Sequence, residues 1–238
     1  MTSTLVTRNQ FNITPQGIVH KPTEAAFIPH PGDPHSGIFR RGQLGNQRPN
    51  GNHYEPEDVQ RMMRELWEEF VAKNPASQVP VLELDEDGEV VRLVQSIAII
   101  EYLEERFPAP PLLPASARGR AHVRAMAELV NSGIQPLQNT STFQELKKHG
   151  VPTEPWARHF IEKGLMALEQ LAAPEAGAFL FGDSPGLADV YLVPQLYNAR
   201  RWSVPLDAFP TLTRAEANAQ ALPAFRAAVP EAQPDAEP

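Results

Sequence analysis

The sequence predicts an α/β plus all-α fold, in which a portion with helices and strands precedes an all-helical domain. Two β-rich runs, "VPVLEL" and "EVVRLV", are joined by Asp85–Gly88, and Asp-Gly between such runs is a strong hairpin signal. A segment with helical period lies on either side of this pair. After the proline-rich stretch "PAPPLLP", every periodic segment is helical. The order is therefore helix, hairpin, helix, linker and helical domain.

Composition narrows the class of protein. Of the 238 residues, 42% are hydrophobic and 21% charged, and the formal net charge is −8. An acidic chain is a poor general binder of nucleic acid, because phosphate binding needs a basic surface. The absence of cysteine excludes disulfides, thiolate metal sites and a cysteine nucleophile. No signal peptide or membrane span is evident, so we expect a cytoplasmic enzyme or binding protein.

Residues 1–55 are rich in proline, glycine, asparagine and histidine. The short apolar pieces "GIVH" and "AAFI" are compatible with edge strands, but nothing here has helical period. We expect an atypical, irregular N-terminal segment.

Residues 56–108 carry the helix–hairpin–helix pattern. "EDVQRMMRELWEEFVAKNP" has an amphipathic helical period; Pro56 suits its first turn and Asn74-Pro75 ends it. "SIAIIEYLEERF" is a second helix, with Ser96 predicted as its N-cap.

Residues 112–238 are predicted to be all-helical. Two helical segments, "SARGRAHVRAMAELVNSG" and "EPWARHFIEKGLMALEQLA", precede "LADVYLVPQLYNARRW", which is apolar on nearly every side, and "TLTRAEANAQALPAFRAAV" follows it as a single last helix. The apolar segment is predicted to be a buried central helix kinked by Pro194.

The motifs "NPASQVPVLEL", "QSIAIIEYLEERFP", "LLP", "GIQPLQN", "ALEQL", "GDSPGLADVYLVPQLYNARR" and "QPD" occur in this order. In order and spacing the chain resembles the zeta class of glutathione transferases, which includes the maleylacetoacetate isomerases. The resemblance covers residues 74–238. It implies a glutathione transferase-like fold, with a divergent or incomplete thioredoxin-like N-terminal domain followed by an all-helical C-terminal domain.

The resemblance implies a backbone contact for glutathione at Val79. In this fold the proline after that valine follows a cis peptide bond, which turns the preceding backbone outward. The N–H and C=O of Val79 would then bind the cysteinyl backbone of glutathione, as an added strand would. From spacing alone, Pro80 could equally be an ordinary edge-strand proline.

Gln95 and Ser96 are the predicted contacts for the γ-glutamyl end of glutathione. The start of a helix has unpaired N–H groups and a partial positive charge, which favour a carboxylate. The alternative is that Ser96 only caps its own helix, and both roles are compatible.

Gln135 and Arg201 match family positions that face glutathione and the acidic substrate. Arginine suits a carboxylate because its planar fork donates two hydrogen bonds. The adjacent Arg200 could be confused with Arg201, and either could be a solvated helix end. Asp189 matches a buried acid that secures the central helix, although its usual Ser or Thr partner is replaced by Gly186.

The N-terminal part departs from the family. The pattern Ser-Ser-Cys-x-x-Arg-x-Arg, whose serine stabilises the glutathione thiolate, is not found, so the catalytic residue is unknown. Counting back from Val79, Ser36 is the best replacement. His30, Asp33 and His35 could form a two-histidine, one-carboxylate metal triad, but no rigid element is predicted to hold them.

The mismatch ends abruptly at Asn74, which suggests that an unrelated segment is joined to most of a zeta-class protein. The strand after Val79 would then lack its usual neighbour and leave an open edge. We expect part of residues 12–30, either "GIVHK" or "AAFIP", to cover that edge, with helix 57–73 packed nearby.

The leading hypothesis is a glutathione-dependent cis–trans isomerase of the maleylacetoacetate type, acting in aromatic amino-acid breakdown. The resemblance implies glutathione as cofactor, a small acidic substrate and a homodimer. One alternative is a catalytically impaired binding protein with the same fold, and another is a transferase acting on a different electrophile.

Overall fold

The computed structural model describes residues 3–14, 16–30, 33–46, 51–76 and 78–233. The chain divides into two compact units between Glu101 and Tyr102. No helix in the described ranges is long and apolar enough to cross a membrane.

Four antiparallel strands open the first unit and form a meander in the order β1-β2-β3-β4. They are β1 (Phe11–Thr14), β2 (Gly17–His20), β3 (Ala25–His30) and β4 (Asp33–Arg40). "GIVH" and "AAFI" are strands, but the expectation that residues 1–55 are irregular is wrong. Among the described residues of this segment, Gly17, Pro29, Pro34 and Gly37 all lie within strands. Gly17, at φ +142°, is needed where a Cβ atom would lie 2.2 Å from the carbonyl oxygen of Phe27.

Helix α1 (Pro56–Lys73) packs against this four-stranded sheet. Its buried face and the inner sheet face form one core, made of Phe11, Ile18, Ala25, Leu44, Tyr54, Val59, Met63, Leu66, Trp67 and Val71. Each large apolar side chain buried here contributes roughly 1.5–3 kcal/mol. We call residues 3–73 the N-terminal module. Because α1 shares the core of the strands, we propose a domain boundary at Asn74 in place of the expected one between residues 55 and 56.

A separate two-stranded sheet follows the module. Strands β5 (Val81–Glu86) and β6 (Glu89–Val94) pair antiparallel, as predicted. The turn residues Asp87 and Gly88 both have positive φ, as a two-residue type I′ hairpin turn requires.

The expected cover of the β5 edge is wrong. Residues 12–30 pair within the four-stranded sheet, and in the described part of the chain β5 pairs only with β6. "GIVH" and "AAFI" find their partners in each other and in β1 and β4. The end of α1 does lie beside the hairpin, because Lys73 Nζ is 3.9 Å from Glu83 Oε1.

Helix α2 (Ser96–Arg106) leads from the first unit into the second, which is helical, as predicted. Its helices are α3 (Ala117–Asn131), α4 (Thr140–Lys148), α5 (Thr153–Ala172), α6 (Leu187–Arg201), α7 (Pro210–Gln220) and α8 (Pro223–Ala227). Helix α4 was not predicted, and the expected single last helix is divided before Pro223. Helix α6 packs against α3, α5 and α7 and is the predicted central helix; it continues through Pro194.

Asp189 secures the start of α6, as expected for a structural acid. It is 1% exposed and accepts hydrogen bonds from the N–H groups of Leu180 (3.0 Å) and Gly186 (2.9 Å). Burial raises its pKa, and these two donors oppose the rise. Gly186 occupies the position where the family usually has Ser or Thr. The N–H of the next residue, Leu187, donates to Leu112 O (2.8 Å). A Cβ atom on Gly186 would lie 3.0 Å from that same carbonyl oxygen.

Candidate functional site

The open end of the β5–β6 hairpin brings three of the predicted site residues together. The first pair of the ladder joins Val81 to Val94. Val79 therefore enters the hairpin at the end where Gln95 and Ser96 leave it. The Val79–Pro80 bond is cis, as predicted.

Val79 presents its main chain to solvent. The residue is 71% exposed, and no hydrogen bond between described residues engages its N–H or C=O. The preceding residue is fixed, because the Asn74 side-chain amide donates to Gln78 O (2.5 Å). A fixed segment with an unused donor and acceptor can pair with an extended peptide.

The start of α2 lies beside this segment. Gln95 adopts φ +73° and its carbonyl accepts the N–H of Ile99 (3.0 Å). Gln95 thus occupies the N-cap position and Ser96 is the first helical residue, which corrects the predicted cap by one residue. The first-turn N–H groups of a helix have no intrahelical acceptor and carry partial positive charge. This end of the hairpin therefore combines an exposed backbone segment with a site suited to a carboxylate.

Gln135 lies in the second unit, at the start of a 3-10 helix, Gln135–Gln138. The side chain is half-buried. The other end of this short helix contacts α6, because the Gln138 amide donates to the buried Gln195 (2.9 Å).

Arg200 and Arg201 both end α6 but differ in their partners. The two terminal guanidinium nitrogens of Arg200, Nη1 and Nη2, donate to the carboxylate of Glu216, at 2.6 and 2.5 Å. Arg201 is exposed and forms no ion pair with a described residue. The C-terminus of a helix favours a cation, so Arg201 is a stable charge that is available to a ligand. This arrangement favours Arg201 over Arg200 as the residue that is available to a ligand.

Tyr197 lies one helical turn before Arg201. Its hydroxyl donates to Glu231 Oε1 (2.8 Å). The nearby Glu231 carboxylate raises the pKa of Tyr197, and the charge of Arg201 acts in the opposite direction. The C-terminal segment is thereby attached to α6 close to Arg201.

The predicted residues thus form two groups. Val79, Gln95 and Ser96 adjoin each other in the first unit. Gln135 and Arg201 belong to different elements of the second unit, and no hydrogen bond or ion pair in the described ranges connects them.

Ser36 is engaged elsewhere. It lies exposed on β4, and its hydroxyl donates to Asp33 Oδ2 (2.6 Å). This bond, followed by the His35 N–H, holds the pKa of Asp33 below its usual value. The strand that carries Ser36 belongs to the four-stranded sheet and not to the hairpin. His30 and Asp33 are register partners, but the described residues contain no cluster of three metal-ligating side chains.

Sequence reasoning missed two features. One is Glu216, which pairs with Arg200 and leaves Arg201 as the available arginine. The only sequence signal for this pair is an acidic residue among the alanines of "RAEANAQA". The other is an aromatic cavity in the N-terminal module, which could not be found because β4 was not predicted.

Known protein families match both halves of the chain. The glutathione S-transferase N-terminal domain matches residues 50–111, and the glutathione S-transferase C-terminal domain matches residues 161–230. The maleylacetoacetate isomerase of Pseudomonas aeruginosa is 49% identical over 169 residues, which are 70% of this chain and 77% of that protein. A maleylpyruvate isomerase from Ralstonia is 44% identical over 176 residues, 71% of this chain and 81% of that protein.

Solved structures give the same result. The maleylacetoacetate isomerase of Anaeromyxobacter dehalogenans, with dicarboxyethyl glutathione and citrate bound in its active site, is 53% identical with a TM-score of 0.67. The match covers 72% of this chain and 81% of that one. A maleyl pyruvate isomerase described as a bacterial zeta-class glutathione S-transferase is 41% identical with a TM-score of 0.67, over 78% of this chain and 88% of that one.

Proposed function

The chain belongs to the zeta class of glutathione transferases, the family of the maleylacetoacetate isomerases, and on this premise we propose that it is a glutathione-dependent cis–trans isomerase. The observation that carries the proposal is the exposed main chain of Val79 beside the first turn of α2. A tripeptide with a carboxylate at one end matches both features.

The residues at the hairpin end fit glutathione. The N–H and C=O of Val79 would pair with the cysteinyl backbone. Gln95 and the Ser96 turn would bind the γ-glutamyl carboxylate, with the helix N-terminus supplying the opposing charge. In the second unit, Gln135 is the proposed further contact for glutathione.

The proposed substrate is a small diacid with a cis double bond conjugated to a carbonyl. When bound, glutathione would supply a nucleophilic thiolate, which can add to one carbon of such a bond and leave again, so that the bond is single for long enough to rotate. Arg201 would orient the substrate, because its guanidinium can donate two hydrogen bonds to one carboxylate. Its lack of an ion pair with any described residue supports this role.

The residue that lowers the thiol pKa stays unassigned. A thiol with a pKa near 8.5 is only a few per cent thiolate at neutral pH. An active enzyme therefore needs a hydrogen-bond donor beside the glutathione sulfur. The bond from Ser36 to Asp33 is an argument against Ser36. This observation favours a second candidate function, a protein that binds glutathione without turnover. A transferase acting on another electrophile would use the same glutathione contacts.

The proposal extends to the substrate, the location and the oligomeric state of the protein. Maleylacetoacetate and maleylpyruvate are both compatible with the proposed site, and either would place the protein in the breakdown of aromatic compounds, aromatic amino acids in the first case. We propose a cytoplasmic homodimer. Light scattering coupled to size exclusion would give about twice the chain mass of 26.3 kDa for a dimer.

Two measurements test the function. Calorimetric titration with glutathione should show saturable binding, and a spectrophotometric assay with maleylacetoacetate and maleylpyruvate should show glutathione-dependent isomerisation. Binding without turnover would support the second candidate. Absence of both would contradict the proposed function altogether.

A further inference from the structure

A cavity of about 310 Å³ lies in the N-terminal module, between the β3–β4 strand pair and α1. It is lined by Phe27, His35, Phe39, Gln60, Met63, Arg64, Trp67 and Glu68. All of these residues precede Asn74. Phe27, His35 and Phe39 lie before residues 50–111, which match the glutathione S-transferase N-terminal domain, whereas the five lining residues on α1 lie within that match.

The inner wall is aromatic and held in place. Trp67 is buried, and its indole N–H donates to Pro34 O (2.7 Å). Phe27 meets Trp67 edge to face at 5.7 Å, and Phe70 stacks on Trp67 at 5.3 Å. The buried Met63 completes this wall; a thioether adapts easily to a ring placed against it. The surface is suited to a flat apolar group.

The mouth of the cavity offers a positive charge. Arg64 is exposed and forms no ion pair with a described residue, not even with Glu68 one turn along the helix. Arg61, on the same helix, is paired with Asp58 at 2.8 Å. His35 lies on the opposite wall, and Gln60 adds an amide that can donate or accept a hydrogen bond.

We propose that this cavity binds a single-ring aromatic carboxylate. The ring would lie between Phe39 and the Trp67 wall, and the carboxylate would bind the guanidinium of Arg64. Small-molecule pockets range from roughly 300 to 1,000 Å³, so this cavity admits one ring with a short acidic side chain. The planar fork of arginine matches a carboxylate held at the edge of such a ring.

The proposal does not depend on the proposed isomerase activity. Its ligand is a monocyclic acid without a thiol, and its residues are separate in sequence from the glutathione contacts. Failure of one proposal therefore leaves the other unaffected.

The test is a calorimetric titration of the full chain with phenylacetate and with phenylacetamide, its neutral counterpart. We expect saturable binding of phenylacetate and at least about tenfold weaker binding of the amide, because a charged hydrogen bond is roughly twice as strong as a neutral one. Arg64→Gln should weaken phenylacetate binding about tenfold and phenylacetamide binding much less. Arg61→Gln is the matched control and should bind phenylacetate like the unmodified chain.

A second variant keeps the proposal testable if Arg64→Gln disturbs the helix. Phe39→Ala removes an exposed wall residue and should weaken both ligands. Glutathione-dependent turnover should be the same in all three variants. Equal affinity for acid and amide, an equal loss in Arg61→Gln, or no binding of phenylacetate at millimolar concentration would overturn the proposal.

Discussion

Arg200 and Arg201 are neighbours at the end of α6, yet only Arg200 is held in an ion pair with a described residue. Its partner, Glu216, is 3% exposed, and both carboxylate oxygens are used. Arg200 therefore connects α6 to α7, whereas Arg201 carries the available charge. The two residues have the same chemistry, but we expect substitution of Arg201 to reduce turnover and substitution of Arg200 to reduce stability.

Arg201→Gln should lower kcat/KM for a diacid substrate by about 10- to 100-fold, since a bidentate charged contact is worth roughly 1.5–3 kcal/mol. Glutathione affinity should change little, because Arg201 is proposed to contact only the substrate. The free energy of unfolding should stay within about 0.5 kcal/mol, as for most surface substitutions. Steady-state kinetics and urea unfolding measure the two effects.

Arg200→Gln is the matched variant and should show the reverse pattern. It leaves the buried Glu216 carboxylate without its partner, at a cost of about 1–3 kcal/mol in stability. The double variant Arg200→Gln/Glu216→Gln should recover part of this loss. A large loss of turnover in Arg200→Gln with full stability would contradict the assignment.

Ser96→Ala should weaken glutathione binding about fivefold, the effect of one hydrogen bond worth roughly 1 kcal/mol. Ser116→Ala is the control at another helix start, where the Ser116 side chain accepts the Gly119 N–H at 3.0 Å. This second variant should lose about 1 kcal/mol of stability and bind glutathione normally. Equal glutathione affinity of Ser96→Ala and the unmodified chain would remove Ser96 from the site.

Ser36→Ala should leave turnover and glutathione affinity unchanged, because its hydroxyl is bound to Asp33. It should raise the pKa of Asp33 toward the ordinary value of 3.8, which carboxyl NMR titration can measure. A lowered carboxyl pKa stabilises the fold above the unfolded pKa, and that contribution is lost as the pH falls through the folded pKa. The stability difference between the two proteins should therefore be present at neutral pH and disappear in acid. A loss of turnover would make Ser36 the missing thiol-activating residue.

Leu66→Ala should destabilise the N-terminal module by about 2–5 kcal/mol, because Leu66 is buried in its core and the substitution leaves a cavity. Hydrogen exchange should show faster opening of β1–β4 and α1, with little change in α3, α5 and α6. Glutathione affinity should be unchanged. A parallel loss of glutathione affinity would show that the module supports the site.

The second half of the fold could be predicted because its local and tertiary signals agree. The Asp87-Gly88 turn requires positive φ at both positions, and the β-rich runs on either side leave one register for the hairpin. In the helical unit, α6 was recognisable from its long apolar run, although its buried residues occupy one broad side of the helix and Pro194, Tyr197 and Arg200 are exposed. The short α4 was missed because none of its residues is buried and it carries only two large apolar residues, Phe143 and Leu146.

The N-terminal sheet could not be predicted from local pattern. Its strands contain Pro29 and Pro34, residues that normally argue against a strand, and these strands are held by long-range pairing and by the face of α1. The helix itself was predicted, but not its partner. The apolar face of α1 indicated that another element packs against it, but the sequence did not identify that element as the four-stranded sheet.

The site was predictable only in part. Val79 and Ser96 meet because the hairpin register brings the two ends together, which follows from sequence once the turn is known. The N-cap prediction missed by one residue because Gln95 adopts a positive φ that favours glycine. The separation of Arg200 from Arg201 depends on the distant Glu216, which no local pattern reveals.

The central claim, that glutathione lies along the Val79 main chain with its acidic end at the start of α2, is tested most directly by amide NMR of the labelled full chain during titration with glutathione. The largest saturable shifts should occur at the N–H groups of Val79, Gln95 and Ser96, while amides of the N-terminal module change little. Saturable binding that leaves these three amides unmoved would contradict the claim.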